Sequence, residues 1–198
     1  MTEKRLNLPI SKDIVRQLKL GDVVYLNGEF YTARDEAHHH ALELINSGKK
    51  LPVSFSGSAV YHCGPIVRKI DNGWESLAAG PTTSARMNSM EPEFIEKTGV
   101  CAIIGKGGMN KATLDAMKKF GCVYLAITGG AAILAAKGMK VKGVEWIELG
   151  TPEALWILEG DNFGPLIVAM DAHGNSLYAE LEARVQKNAE SIRKKLGI

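Results

Sequence analysis

Hydrophobic and polar residues alternate in short runs over the first part of the chain, which is the pattern of β-strands. Residues 4–10 predict an N-terminal strand or extended arm. Within 23–33, two alternating runs flank Asn27-Gly28, a dipeptide that predicts a tight hairpin turn. A second hairpin is predicted over 58–79, with its turn at 71–73. This part of the chain is therefore expected to form a hairpin-rich β layer.

Capping residues mark three helices in the same region. Ser11 is expected to cap a short helix that runs through Leu18, and Asp35 to cap a helix that ends near Ser47. Glu91, which is followed by a proline, suits the start of another short helix.

A different rhythm begins at residue 100, where short apolar strands alternate with glycine-rich turns and helices. The turns GKGGMN (105–110) and TGGAA (128–132) each follow an apolar strand and precede a helix. Two such units in succession predict parallel strands joined by right-handed crossovers, a βαβα layer. A polar helical tail is expected near 180–196. Three other runs are interpreted as strands: VEWIEL, PLIVAMD and SLYAEL. The fold class is thus predicted as α/β, in one domain over 1–198 with residues 1–20 as a candidate arm.

Composition narrows the class of protein. Hydrophobic residues make up 45% of the chain and charged residues 23%, which is typical of a globular protein and not of a disordered one. A net charge of +2, without a basic run, does not favour nucleic-acid binding. No secretory signal is evident, and no apolar stretch approaches the roughly 20 residues of a membrane helix. Three widely spaced cysteines argue against a disulfide framework and favour the reducing cytoplasm.

Two features of the glycine-rich turns favour an anion site. Backbone N–H groups at the start of a helix attract negative charge, and Lys106 would add a full positive charge. Both turns are expected at the carboxyl ends of the strands, where α/β sheets bind ligands. Neither turn has the spacing of a P-loop or of a dinucleotide fingerprint. A tight turn with a solvated lysine, and close helix–strand packing at the second turn, remain alternatives.

The segment GPTTSARMN (80–88) adds hydroxyls and a guanidinium. Arg86 offers a fork that matches a carboxylate, and the neighbouring hydroxyls supply short-range hydrogen bonds or cap the following helix. With Arg34 and Lys106, this segment gives a set of cations and hydroxyls that fits a small dicarboxylate. The run His38–His40 is not expected to bind a metal, because consecutive helical side chains point in different directions. The cysteines, which lack C-x-x-C pairing, are interpreted as small buried residues.

Five segments occur in a fixed order along the chain: GDVVYLNGEFYTARDEAH, YHCGP, GPTTSARM, GKGGM and TGGAA. In this order and at these intervals they resemble the C-terminal domain of class I (iron–sulfur) fumarases and L-tartrate dehydratases, which in many organisms is a separate β subunit. The match extends from about Leu6 to Ala183. The resemblance implies a swivelling β/β/α fold and a hydro-lyase that acts on a 2-hydroxy dicarboxylate such as malate. One departure is His62, where the family often has a second aromatic residue.

The same resemblance implies roles for individual residues. Arg34, Arg86 and Lys106 would bind substrate carboxylates, with Thr83 and Gly107 beside them. Thr82 would be the base that handles the C3 proton, and Thr83 is the alternative. Fixed cations suit this chemistry, because removal of a proton beside a carboxylate adds negative charge to it.

The resemblance also implies a cofactor and a partner. In this family a 4Fe–4S cluster acts as Lewis acid on the substrate hydroxyl, and three cysteines of another domain or subunit hold it. Cys63, Cys101 and Cys122 do not match those ligands, so the cluster is expected on an α subunit and this chain is expected to be inactive alone. The reaction is predicted to be malate to fumarate. L-tartrate dehydration, a non-catalytic anion-binding module and, more weakly, a nucleotide-binding protein are the alternatives.

Overall fold

A computed structural model describes residues 2–128, 130 and 132–196, which form two β-sheets and six α-helices. The strands are β1 (Glu3–Asn7), β2 (Val23–Thr32), β3 (Ala59–Tyr61), β4 (Ile66–Ile70), β5 (Gly73–Ala78), β6 (Ala102–Gly105), β7 (Val123–Ala126), β8 (Met139–Glu145) and β9 (Leu155–Met170). The helices are α1 (Lys12–Arg16), α2 (Asp35–Asn46), α3 (Glu91–Thr98), α4 (Lys111–Phe120), α5 (Ala132–Lys137) and α6 (Leu177–Leu196). Among these helices, none is long and apolar enough to cross a membrane.

The larger sheet closes on itself like a barrel. Its strand order is β1-β2-β3-β6-β7-β9-β8, and β2 also pairs with β9. Strands β2, β3, β6, β7 and β9 therefore form a ring, to which β1 and β8 add at the outside. The pairs β2–β3, β3–β6 and β6–β7 are parallel. The β6–β7 pair confirms the prediction for the βαβα region, whereas the parallel pairing of β2 and β3 was not predicted. Strand β9 runs antiparallel to its neighbours. Strands β4 and β5 form a separate two-stranded sheet.

Alternation along the ring strands divides the core in two. In β3, Ala59 and Tyr61 belong to one buried cluster and Val60 to the other. The second cluster includes Phe94 and Met117, so its face of the sheet packs against α3 and α4. Burial on both faces explains why β6 and β7 are apolar throughout. The α/β class is confirmed, and its central element is a barrel-like sheet that takes strands from both predicted layers.

The hairpin predicted at Asn27-Gly28 is wrong, because β2 is one continuous strand of ten residues. Its pairing with β9 shifts register between Leu26 and Gly28, which is a β-bulge or similar irregularity. Gly28 has φ +92, and a Cβ there would lie 2.9 Å from the Leu8 carbonyl oxygen. A glycine is therefore needed here because the strand is irregular and another backbone passes close by. In the sequence, a glycine with either role cannot be distinguished from a glycine in a turn.

Other predictions had mixed outcomes. The hairpin with its turn at 71–73 is confirmed as β4–β5, although residues 59–61 belong to the ring. SLYAEL is helical, because Ser176 accepts from the Ala179 amide and starts α6. VEWIEL leaves the strand at Glu145 and continues as a 3₁₀ turn over Ile147–Leu149. Ser11 does cap α1, which ends at Arg16, and the polar tail is the long helix α6.

Candidate active site

Three loops meet at one edge of the ring, and two of them carry predicted site residues. They follow β2, β3 and β6, which are adjacent and parallel, so their carboxyl ends lie side by side. The first loop carries Arg34 and the third Lys106, both predicted site residues, and the second carries His62. The glycine-rich turn with Lys106 thus lies at the carboxyl ends of parallel strands, as predicted.

The hydroxyl-rich segment 80–88 lies between the second and third of these loops. The Thr82 amide donates to the His62 carbonyl at 2.6 Å, and the Ser84 amide donates to the Lys106 carbonyl at 3.0 Å. Near its end, the Asn88 side chain accepts from the Asn110 amide at 3.0 Å. Three backbone anchors thus hold the hydroxyls of this segment at the ends of β3 and β6.

Gly107 contributes to this arrangement through its backbone. It has φ +82, a conformation that residues with a side chain rarely adopt, and a Cβ there would lie 3.7 Å from Thr83 Cγ2. The turn therefore brings its amides close to Thr83. Asn110 then caps α4 by accepting from the Thr113 amide, so this helix begins at the same edge.

Each of the two arginines has an acidic partner. Arg34 Nη2 lies 3.0 Å from Glu153, while its buried Nε has no hydrogen-bond partner among the described residues. Gly64 makes room for this side chain, because a Cβ there would lie 2.7 Å from Arg34 Nη1. Arg86 grips Asp35 with one edge of its guanidinium: Nε donates to Oδ1 at 3.0 Å and Nη2 lies 2.7 Å from Oδ2.

Asp35 was predicted to cap α2, and that prediction is wrong by one residue. The N-cap is Arg34, which makes no side-chain capping bond, and Asp35 is the first helical residue. Its carboxylate binds Arg86 instead. The Asp35–Arg86 pair connects the loop after β2 to segment 80–88, so the two arginine-bearing parts of the chain are adjacent in space.

The predicted site residues form what we call the rim: Arg34, Thr82, Thr83, Arg86 and Lys106. Arg86, Lys106 and Thr83 are exposed, and the other two are partly buried. In the described part of the chain, Lys106 is in no ion pair. Thr83 stands at the N-cap of a 3₁₀ turn over Ser84–Met87 but makes no side-chain capping bond, so capping does not account for its hydroxyl.

Beneath the rim lies a group of buried polar side chains that we call the floor: His38, His62, Ser84, Glu91 and Tyr124. All five side chains are essentially inaccessible to solvent. Glu91 Oε2 lies 3.1 Å from His62 Nε2 and 3.4 Å from His38 Nε2. Ser84 Oγ lies 2.9 Å from both His62 Nδ1 and the Tyr124 hydroxyl.

The floor perturbs the acidity of its members. Burial by itself raises the pKa of Glu91, but the interactions with His38 and, after it, His62 outweigh burial and hold that pKa at about 2. Burial lowers the pKa of His38, yet Glu91 more than compensates and the net shift is upward. For His62 burial dominates, and its pKa is lowered. One histidine is thus favoured as a cation and the other as a neutral ring.

Sequence reasoning missed most of the floor. From the sequence, His62 is identified only as a departure from the family pattern, and Glu91 only as the start of a helix. Among the three consecutive histidines, only His38 is buried in the floor, and His39 is 64% exposed. One feature of the sequence points to these residues: His62 follows an apolar strand, and Glu91 lies at the start of a helix, and both are ionisable. Such groups are seldom buried unless they are paired.

The family model for the C-terminus of fumarase matches residues 1–181 of the chain. The chain belongs to the fumarase C-terminus family. A protein of Methanocaldococcus jannaschii provisionally named L(+)-tartrate dehydratase subunit beta is 51% identical over 92% of this chain and 95% of that protein. L(+)-tartrate dehydratase subunit beta of Escherichia coli is 44% identical over 90% of this chain and 88% of its own length.

Fumarase C-terminus domains also occur within longer proteins. A protein of Geobacillus stearothermophilus provisionally named fumarate hydratase class I is 44% identical over 89% of this chain, which corresponds to 34% of that protein. The family thus includes hydro-lyases named for two substrates, one as separate β subunits and one as a single longer chain. Both kinds of relative match nearly the whole of this chain.

The cysteines of this fumarase C-terminus chain do not fit an iron–sulfur cluster. Cys63, Cys101 and Cys122 are buried and unpaired, and burial raises the pKa of each thiol, to about 12 for Cys63. A cluster ligand must be a thiolate, which these surroundings disfavour. In the described residues, the one group of three metal-binding side chains is His38, His62 and Glu91, without a cysteine. In the second glycine-rich turn, Gly129 and Ala131 lie outside the described residues.

Proposed function

We propose that this chain is the β subunit of a hydro-lyase that dehydrates a small 2-hydroxy dicarboxylate, and that the rim is its contribution to a shared active site. The observation that carries the proposal is the convergence of two arginines and two threonine hydroxyls on one edge of a family member's sheet. Relatives over the same length are named as hydro-lyases or their subunits.

The rim suits a substrate with two carboxylates. Arg86 uses its Nε–Nη2 edge on Asp35, which leaves the Nη1 side of the guanidinium for a ligand. Arg34 has an unpartnered buried Nε, and Lys106 brings a charge from the glycine-rich turn. Because Asp35 and Glu153 hold the arginine side chains in place, the cations are oriented before substrate arrives, which lowers the entropic cost of binding.

Thr82 is the proposed base for the C3 proton, and Thr83 is the alternative. A threonine hydroxyl is a weak base at neutral pH, so it needs nearby cations and little water. In this chain Thr82 is only partly buried and Thr83 is exposed. We therefore expect the partner subunit to cover the rim and exclude water when the site is complete.

L(+)-tartrate is the first proposed substrate, because separate β subunits that match this chain along most of their length carry that name. Malate, which we predict from the residues and the resemblance, is the second, and the relative named fumarate hydratase favours it. Both have two carboxylates and a 2-hydroxyl, so the rim described above can accept either.

The remaining parts of the proposal concern what lies outside this chain. The 4Fe–4S cluster is placed on an α subunit, because the buried cysteines here do not fit it, and no step is assigned to it. We also propose the swivelling β/β/α fold and a single domain over 1–198, with residues 1–20 as an arm. A cytoplasmic location is supported by three buried, unpaired cysteines.

Anaerobic co-expression with the cluster-carrying subunit tests the proposal. The assembled complex should dehydrate L-tartrate or malate, and each subunit alone should not. The chain by itself should show no iron–sulfur absorption. A stoichiometric cluster on this chain alone, or an assembled complex that is inactive on both substrates, would overturn the proposal.

A further inference from the structure

The floor joins the three loops of the site to one buried carboxylate. Glu91 is fully buried on α3, and neither of its carboxylate oxygens makes a hydrogen bond among the described residues. Its ion-pair contacts there are with His38 and His62, so its negative charge has to be balanced by these rings. An uncompensated buried carboxylate is very costly, so this arrangement restricts the protonation states of both rings.

The partners of His38 assign it as a cation. Its Nδ1 lies 2.8 Å from the Arg34 carbonyl oxygen, which can only accept, so Nδ1 carries a proton. Its Nε2 faces Glu91 Oε2, and this contact is favourable only if Nε2 is also protonated. The imidazolium thus balances the carboxylate while it fixes the backbone at Arg34.

The partners of His62 assign it as neutral. Its Nε2 faces Glu91 and carries the proton, which leaves Nδ1 to accept from the Ser84 hydroxyl. Ser84 in turn accepts from Tyr124. The backbone of the same two residues anchors the site, since the His62 carbonyl accepts from Thr82 and the Ser84 amide donates to Lys106.

We infer that Glu91 is a positioning residue for the site: its carboxylate holds His38 as an imidazolium and His62 as the neutral Nε2–H ring, and through them fixes the backbone at Arg34 and Thr82. This inference rests on the proposed function for the roles of Arg34 and Thr82. Among the described residues, the ion pairs of Glu91 are with His38 and His62 and not with the rim, so we assign its effect to the two rings.

A metal ion is the competing use of the same three side chains, whose ligand atoms lie within 4.8 Å of one another. They supply three ligands, whereas a closed zinc site has four, and their burial leaves no open position for water. Each ring has a hydrogen-bonded Nδ1, and each Nε2 lies at ion-pair distance from Glu91, although none of these contacts with Glu91 has the geometry of a hydrogen bond. The charge of Glu91 is balanced by the His38 imidazolium without an ion. The ion pair is therefore the better interpretation.

Histidine ring nitrogen NMR on the full chain tests the charge assignment without any activity. In the wild type, both nitrogens of His38 should be protonated at pH 7, while His62 should be neutral with its proton on Nε2. In Glu91→Gln, His38 should become neutral and keep the Nδ1 proton that binds Arg34. A neutral His38 in the wild type, no change in Glu91→Gln, or one equivalent of bound metal in the purified chain would overturn the inference.

Kinetics of the assembled enzyme test the positioning role. Glu91→Leu should reduce kcat by about 10²-fold, as expected when reacting groups shift by an ångström. Glu91→Gln keeps the size of the side chain and a hydrogen-bonding group that can serve one of the two rings, so it should lose less kcat than Glu91→Leu. Glu96→Gln, an exposed acid on the same helix, is the matched control and should behave as wild type. If Glu91→Leu fails to fold, the kcat and the NMR spectrum of Glu91→Gln still test the positioning role and the charge assignment.

The outcomes separate the two proposals. An enzyme that is inactive on both dicarboxylates, with the NMR pattern as expected, contradicts the proposed function and leaves the charge assignment standing. An active enzyme whose kcat and KM do not change in a folded Glu91→Leu variant contradicts the positioning role and leaves the proposed function standing.

Discussion

The rim and the floor of the site are joined by hydrogen bonds but differ in how far their side chains are exposed to solvent. The rim carries cations and hydroxyls that face solvent, and its ion pairs are partly exposed, so each pair alone adds little stability. The floor is inaccessible to solvent, and its side chains interact with one another through a few specific hydrogen bonds and ion pairs. Side chains that must meet a ligand stay accessible, whereas those that set loop geometry are locked.

This contrast predicts different consequences of mutation. A change in the rim should affect turnover more than folding, because rim side chains have few intramolecular partners. A change in the floor should affect folding and turnover together, because the floor holds the backbone of all three loops. The following variants probe this difference, from the largest expected effect to the smallest.

Arg86→Lys should lower kcat/KM of the assembled enzyme by about 10²-fold. A guanidinium can bind Asp35 with one edge and the substrate with another, whereas a lysine ammonium has no such second edge. The melting temperature should stay close to that of the wild type. Arg68→Lys is the matched control, since Arg68 forms a similar exposed pair with Glu75 on the β4–β5 hairpin. Near-normal kcat/KM in Arg86→Lys would remove Arg86 from substrate binding.

Gly105→Ala should disturb the floor. A Cβ at this position would lie 2.0 Å from Ser84 Oγ and 3.4 Å from His62 Nδ1, so the Ser84 side chain must move. Overpacking of this kind typically costs about 1–3 kcal/mol of unfolding free energy, which corresponds to several degrees in Tm. Gly143→Ala, whose Cβ would make an ordinary 3.5 Å contact with Ile157, is the control. Equal Tm values for the two variants would contradict the packing described for the floor.

The mildest change removes only charge. Because the pKa of Glu91 falls from 4.5 to about 2 on folding, the carboxylate stabilises the folded state above pH 4.5. That contribution is lost as pH falls from 4.5 towards 2. In folded Glu91→Gln, His38 is neutral and takes up a proton on unfolding below its ordinary pKa of 6.5, so this variant loses stability as pH falls. In the wild type, His38 is already protonated in the folded state and causes no such loss. The difference in unfolding free energy between wild type and Glu91→Gln should therefore widen as pH falls from 8 to 5. His62, Asp35, Cys122 and Tyr124 are the other titratable groups near Glu91. A difference that stays constant between pH 8 and 5 would contradict the buried ion pair.

How far the sequence predicts this molecule differs between its parts. The rim residues lie in loops whose residue types indicate an anion site. The sequence also predicts the parallel strands β6 and β7, at whose carboxyl ends the Lys106 loop is expected. The floor could not be predicted, because the contact of His38, His62 and Glu91 joins three distant segments through the barrel-like sheet. Within the sheet, Gly28 looked like a turn residue, since a bulge that needs positive φ has the same local signature.

Thr82→Ala in the assembled enzyme tests most directly whether this chain contributes chemistry and not only shape. If Thr82 is the base, kcat should fall by about 10² to 10⁴-fold. The change in stability should stay below the 1 kcal/mol or so of a lost helix cap. Thr82→Ser, which keeps the hydroxyl, should retain a substantial part of the activity. Normal turnover with a lowered melting temperature in Thr82→Ala would contradict the account and move the search for the base to Thr83.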